Sequence, residues 1–317
     1  AAKMAGYRGK EIFYDGLIKT SQDLSLAIKD GISHINIESL GEAKRLATIA
    51  TRSKKIIEVG IRLSFPSSRV GLKSLLGVSY DRFGVSQSTG QAGELARFIL
   101  SQKYLRLVGL HCHTGSNQKS SANYLIGIDE LTAFMSFLKK QYNLEIRILN
   151  LGGGFGVPEI TAYKVTDLGF QAVNRLLSIT TEFSHHPFDF GKVASEIITH
   201  LEKKLDEHRL PYPRLILEPG RSLVGNATHL LATIVDTKET EHNNWTIIDA
   251  GTNLMPVLTF YSEYHDILVF SSSREKRKIS IAGPLLYSSD SLVSGRILPQ
   301  GRVGDIVMIC DTGAYFN

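Results

Sequence analysis

Ile146-Arg147-Ile148-Leu149-Asn150-Leu151-Gly152-Gly153-Gly154-Phe155-Gly156 joins a short apolar run to a glycine-rich loop. The run has the length and apolar character of a buried strand. The glycines after it let backbone N–H groups approach a phosphate with no side chain in the way. A tight turn between strand and helix is the competing reading. The loop lacks the Lys-Ser/Thr of a P-loop and the spacing of a dinucleotide fingerprint.

Further runs of the same kind lie at Glu11–Tyr14, His34–Ile37, Ile56–Leu63, Leu105–His111 and Arg214–Leu217. Helical patterns separate them. Ser21–Asp30 opens with a Ser cap and carries Leu24, Ala27 and Ile28 on one face. Ser39 reads as an N-cap, with Glu42 completing a capping box. Val193, Ile197, Leu201 and Leu205 step by four along another helix. Such alternation predicts a parallel sheet, either doubly wound or closed into a barrel. After Arg221 the texture changes. Leu230–Val235, Trp245–Asp249, Ile267–Phe270, Lys278–Ala282 and Asp305–Cys310 read as strands with no long helix between them. An all-β second domain is expected, with residues 1–228 forming the first domain and 229–317 the second.

The 317 residues are enough for two domains, and 43% hydrophobic with 21% charged residues is ordinary globular composition. The net charge of +5 is spread along the chain, and the run Arg274-Glu275-Lys276-Arg277-Lys278 reads as a solvated loop. No nucleic-acid partner is expected. Cys112 and Cys310 alone do not make a disulfide scaffold, and they fit a reducing, cytoplasmic setting. No apolar run approaches a membrane span. Ala1–Gly6 reads as the inside of a helix, and six strands precede the β domain where a closed barrel needs eight. Two strands are therefore expected upstream of Ala1, and Asn317 falls inside or just after a strand.

Functional residues of βα barrels sit at the C-terminal ends of the strands. Three clusters follow strands here: His111-Cys112-His113-Thr114-Gly115-Ser116, the glycine run, and Glu218-Pro219-Gly220-Arg221. Ser116, the Gly115 amide and Arg221 are suited to the same phosphate as the glycines. His113 is placed to stack on an aromatic ligand. It also reads as a structural histidine or, with His111, as a metal pair. Glu218 at the mouth suits a protonated heterocyclic nitrogen, or an ion pair with Arg221. No further His or Asp at a strand end completes a metal site, and none is expected.

Taken in order, these clusters resemble the fold-type III pyridoxal-phosphate decarboxylases, which include diaminopimelate and ornithine decarboxylases. The likeness runs through Phe13-Tyr14-Asp15-Gly16 with Lys19, Asn36-Ile37-Glu38-Ser39, Gly60-Ile61-Arg62-Leu63 and Arg82-Phe83-Gly84. It continues through the three clusters and then Asp249-Ala250-Gly251, Gly283-Pro284, Gly304-Asp305 and Gly313-Ala314-Tyr315. The resemblance implies a (β/α)8 TIM-type barrel followed by a Greek-key-like β domain, with pyridoxal 5'-phosphate as cofactor. It implies that His113 stacks on the pyridine ring and that Glu218 pairs with the ring nitrogen. Ser116, Gly152, Gly153, Gly154, Gly220, Arg221 and Tyr315 are the phosphate side of that set. It also implies a small amino substrate and a homodimer whose active sites are shared across the interface.

Three departures from the family stand out. No segment matches the strand that carries its cofactor-bearing lysine, so that lysine is expected upstream of residue 1; Lys3 is a poor substitute. The family's Gly-Pro-x-Cys-acid-x-x-Asp motif reads Gly283-Pro284-Leu285-Leu286-Tyr287-Ser288-Ser289-Asp290 here. Leu286 replaces the proton-transferring Cys and Tyr287 the acid, so either Tyr287 or a water takes that step, or the reaction differs, or catalysis is lost. Leu286, Tyr287 and Asp290 are the substrate-side positions. In Met255–His265, Met255 stands where diaminopimelate decarboxylases place a substrate-binding Arg, which argues against that substrate. The leading reading is a decarboxylase of another amino acid or amino-acid conjugate. The alternatives are a decarboxylase-like binding protein that no longer catalyses, and a metal-dependent barrel hydrolase.

Overall fold

The computed structural model describes residues 1–65, 82–157, 161–162, 188–260 and 263–316. Contacts divide the chain into two compact units. The first comprises Ala1–Gly115, Ser120–Gly153 and Phe190–Glu218. The second comprises Ser116–Lys119, Gly154–Asp189 and Pro219–Asn317.

The first unit is a parallel sheet of six strands: β1 (Phe13–Tyr14), β2 (His34–Ile37), β3 (Ile57–Arg62), β4 (Leu105–His111), β5 (Ile148–Asn150) and β6 (Arg214–Ile216). They lie side by side in chain order, as in part of a (β/α)8 barrel. The central strands are short and buried, with Ile35, Ile37, Val59, Ile61, Leu107 and Leu110 almost fully enclosed, while β1 and β6 at the two edges are only partly so. Parallel register sets His111 against Asn150, and Asn150 against Ile216, so these strands end level with one another.

Helices α1 (Ser21–Lys29), α2 (Leu40–Ser53), α3 (Gln91–Leu100), α4 (Ala122–Tyr142) and α5 (Phe190–Glu207) link them. On α5 the expected stripe of Val193, Ile197, Leu201 and Leu205 is buried. The N-cap of α1 is Thr20 rather than Ser21: Thr20 Oγ1 accepts from Asp23 N while Asp23 accepts from Thr20 N. Ser39 caps α2 as expected, accepting from Glu42 N. The reciprocal bond goes elsewhere, because Glu42 Oε2 accepts from Glu38 N. Glu42 Oε1 is drawn inward by an ion pair of 3.0 Å with buried Lys19. Ala1–Gly6 forms hydrogen-bonded turns rather than a helix, since only one turn of donors is closed.

The second unit is built on a mostly antiparallel sheet in the order β9-β12-β7-β8-β10-β11. Its strands are β7 (Leu230–Glu239), β8 (Asn244–Ile248), β9 (Ile267–Phe270), β10 (Lys276–Ala282), β11 (Ser291–Pro299) and β12 (Ile306–Ile309). Only β8 and β10 run parallel. Ile234, Ile248, Ile281, Val307 and Ile309 form its apolar centre. Sequence reading missed β11. Gly295 sits there with φ +60°, and register shifts opposite it break the alternation that marks a strand. Two short helices, α6 (Arg221–Val224) and α7 (Pro256–Phe260), were also not expected. Among the described residues no helix is long and apolar enough to cross a membrane.

Candidate cofactor site

The rim of the first unit is built where β4, β5 and β6 end. His111 is the last residue of β4, Asn150 the last of β5, and Glu218 follows β6 by two residues. Gly152 adopts φ +66°, a region open to glycine, and so turns the chain immediately after β5. Its Cα hydrogens face His113: a Cβ there would lie 2.9 Å from His113 Nδ1 and 3.2 Å from its Cα. A Cβ on Gly153 would lie 2.2 Å from the Glu218 carbonyl oxygen. Glu218 N donates to the Gly152 carbonyl at 2.9 Å. Thus His113, Gly152, Gly153 and Glu218 are brought together, and the glycines are what permits that approach.

His113 is largely enclosed. Burial first, then the charges of Arg62 and His111, lower its pKa to about 4, so its imidazole is neutral at physiological pH. Glu218 is exposed, and its Oε1 accepts from Asn150 Nδ2 at 2.6 Å. Asn150 Oδ1 in turn accepts from Gly152 N at 2.8 Å. The Tyr124 hydroxyl, fully buried, donates to the Gly153 carbonyl at 2.9 Å.

Behind this rim lies a charged chain. Arg62 Nη1 is 2.6 Å from Glu38 Oε1 and 3.9 Å from Asp15 Oδ1. Glu38 Oε2 accepts from Gly84 N at 2.7 Å. Asp15 Oδ2 lies 3.0 Å from His111 Nδ1, an ion-pair distance without the alignment of a hydrogen bond. Burial pushes the Asp15 carboxyl up, but His111 and Arg62 together hold it far below the usual carboxylate range. Asp15, His111 and Glu218 offer ligand atoms all within 4.8 Å of one another. Sequence reading considered His111 with His113 as a metal pair; the geometry instead groups His111 with two carboxylates. Asp15, Arg62 and Asn150 were not singled out for the site. The signal for Asn150 was a lone polar residue inside an apolar strand end.

In the second unit, Arg221 opens α6 with Gly220 as its N-cap residue. The Arg221 guanidinium is ion-paired to Glu263 at 2.5 Å and lies 4.7 Å from the Tyr315 ring centre. Tyr315 holds φ +66°, unusual for a bulky side chain. His265 Nδ1 lies 2.7 Å from the Cys310 carbonyl, which only accepts, so Nδ1 carries a proton. Its Nε2 is 3.6 Å from Glu263 Oε2. Glu263 was missed in the sequence because nothing local marks it. Ser116 is exposed, and Gly154 has φ +84° and accepts from Gln118 N at 2.9 Å.

The Gly283–Asp290 loop is organised by Asp290. Its buried carboxylate accepts from Thr252 N at 2.7 Å and from Leu285 N at 2.8 Å. Leu286 is fully exposed and Tyr287 largely so. Met255 is completely buried and belongs to the apolar centre of the sheet. Tyr261 and Ser262 of the same stretch lie outside the described residues.

Parallel strands ending in a glycine turn, a neutral imidazole and a carboxylate form a rim of the kind at which β/α-barrel proteins present their functional groups. Comparison with known proteins names the family. Residues 1–225 match the model for "Pyridoxal-dependent decarboxylase, pyridoxal binding domain". The chain belongs to the pyridoxal-dependent decarboxylases, of fold type III. It is 31% identical over 315 residues to a diaminopimelate decarboxylase of Methanocaldococcus jannaschii, covering 99% of this chain and 66% of that protein. It is 29% identical over 321 residues to the Methanothermobacter thermautotrophicus enzyme of the same name, covering 99% and 67%. The crystal structure of the M. jannaschii protein in co-complex with L-lysine superposes with a TM-score of 0.82 at 30% identity, over 99% of this chain and 67% of that one. A lysine/ornithine decarboxylase of Vibrio vulnificus shares the fold, with a TM-score of 0.73 at 20% identity. The chain therefore spans about two thirds of the length of the relatives it matches. Pyridoxal 5'-phosphate is the family's cofactor, and the residues present suit it: the glycines at 152 and 153 let the loop close against His113 and the Glu218 backbone, which keeps a neutral imidazole and a carboxylate at one rim.

Proposed function

We propose that this protein is a pyridoxal-phosphate-dependent decarboxylase of an amino acid or amino-acid conjugate other than diaminopimelate. The observation that carries the substrate half of this reading is Met255. By the resemblance it stands at the position of the family's carboxylate-binding Arg, and its side chain is buried in the β core. An apolar, enclosed thioether offers a distal carboxylate no partner.

Once bound, the cofactor supplies an electron sink for the electron pair released as CO2 departs. His113 presents a flat, uncharged ring for stacking, and Glu218 holds a proton at the ring nitrogen. The amides of Gly152, Gly153 and Gly154 receive the phosphate, with Ser116, Gly220, Arg221 and Tyr315 in the phosphate-side roles that the family implies. Tyr287 replaces the missing thiol as proton donor. Asp290 shapes the loop that carries it, through its two backbone amide bonds. The same reading makes the protein a cytoplasmic homodimer acting on a small amino substrate.

CO2 release from a panel of amino acids tests the proposal. Full-length protein with pyridoxal phosphate is expected to decarboxylate an amino acid without a distal carboxylate, such as lysine or ornithine, and to spare meso-diaminopimelate. Preferred turnover of meso-diaminopimelate would overturn the substrate reading. No turnover of any amino acid by a cofactor-loaded protein would favour the non-catalytic alternative.

A further inference from the structure

Asn150 is the polar end of an apolar strand, and its side chain is almost completely buried. Its amide makes two bonds whose chemistry admits one orientation. Gly152 N can only donate, so the atom 2.8 Å away is Oδ1. With Oδ1 so assigned, the atom 2.6 Å from Glu218 Oε1 is Nδ2, which donates to it. One side chain thereby spans the glycine loop and the rim carboxylate. A second link closes the same junction, from Glu218 N to the Gly152 carbonyl at 2.9 Å. The Asn150 carbonyl also accepts from Cys112 N at 3.0 Å, which ties in the segment leading to His113. Glu218 is exposed and would otherwise sample several rotamers. A neutral amide donor holds it in one orientation without offering a proton that could transfer.

We infer that Asn150 is a positioning residue: it fixes the orientation of the Glu218 carboxylate and couples its place to that of the glycine loop. The inference rests on the proposed roles of Glu218 at the ring nitrogen and of the glycines at the phosphate. Asp15 and His111 also face this carboxylate, with ligand atoms within 4.8 Å, and they remain unchanged in the test.

Asn150→Asp separates the two bonds. It keeps an acceptor for Gly152 N and sets a carboxylate against Glu218. Holoenzyme of N150D is expected to bind pyridoxal phosphate within about threefold of wild type. Its bound-cofactor absorbance should titrate differently with pH, and kcat should fall about tenfold or more at little changed KM. Asn150→Ser, too short to reach Glu218, should show the same spectral change. N150D/E218Q exchanges donor and acceptor, and its melting temperature should recover relative to N150D. Glu218→Gln alone tests the underlying reading: unchanged cofactor absorbance in E218Q removes Glu218 from the ring nitrogen. A changed spectrum in E218Q with wild-type absorbance in both N150D and N150S overturns the role of Asn150 alone. Failure of both single variants to fold would assign Asn150 to the fold and would equally overturn the inference.

Discussion

The Glu263 carboxylate lies 2.5 Å from the Arg221 guanidinium, and both side chains are buried within the β unit. Burial pushes the Glu263 carboxyl up, but His265 and Arg221 outweigh it, and the pKa falls below its ordinary 4.5. A carboxyl lowered in the folded state contributes stability that is complete above 4.5 and is lost as pH falls through the folded value. Glu263→Gln should therefore cost about 3 kcal/mol at pH 7, because it leaves a buried cation unpaired. Wild type and E263Q should converge below pH 4.5. Urea unfolding across pH measures this, and a constant gap between the two would refute it.

His113 sets a different window. Its pKa of about 4, against 6.5 for the free ring, means that the folded state resists protonation. Stability from this residue is complete above 6.5 and declines toward pH 4, by roughly 3 kcal/mol in all. Replacing His113 by Phe should remove the acid sensitivity between those values while leaving the lower, carboxylate-driven loss. Thermal melts at half-unit pH intervals resolve the two windows.

Gly153→Ala places a methyl group 2.2 Å from the Glu218 backbone carbonyl, an atom that cannot swing aside. The two loops must separate. A loss of about 2–3 kcal/mol of stability is expected, together with a large loss of cofactor affinity. G153A with wild-type affinity for pyridoxal phosphate would mean that the close approach has no part in binding.

Asp290 was read from the sequence as a substrate-side residue. Its carboxylate is occupied by Thr252 N and Leu285 N, so Asp290→Asn turns one oxygen into a donor facing a donor. Stability should drop by about 1–3 kcal/mol. Unfolding and steady-state kinetics of D290N separate the roles: an unchanged stability with a raised KM would return Asp290 to direct substrate contact.

What could be read from the chain divides along physical lines. The barrel strands were legible because they stand as short runs rich in β-branched and apolar residues, such as Ile57–Arg62 and Leu105–His111. The rim was legible in part because strand ends are where chemistry is expected, which singled out His113, the glycines and Glu218. Cap choice was harder: Thr20 and Ser21 are chemically equivalent, and only backbone geometry selects Thr20. Asn150, Asp15 and Glu263 were not legible, since each is defined by a partner far along the chain, at Glu218, His111 and Arg221. Strand β11 escaped because Gly295 interrupts its pattern.

The arrangement of His113, Gly152, Gly153 and Glu218 as one cofactor site is tested most directly by the crystal structure of the protein with pyridoxal phosphate bound. The ring should lie against the His113 imidazole, with its nitrogen at hydrogen-bonding distance from the Glu218 carboxylate. A ring nitrogen facing any other residue, or a cofactor seated away from the glycine loop, would contradict the account.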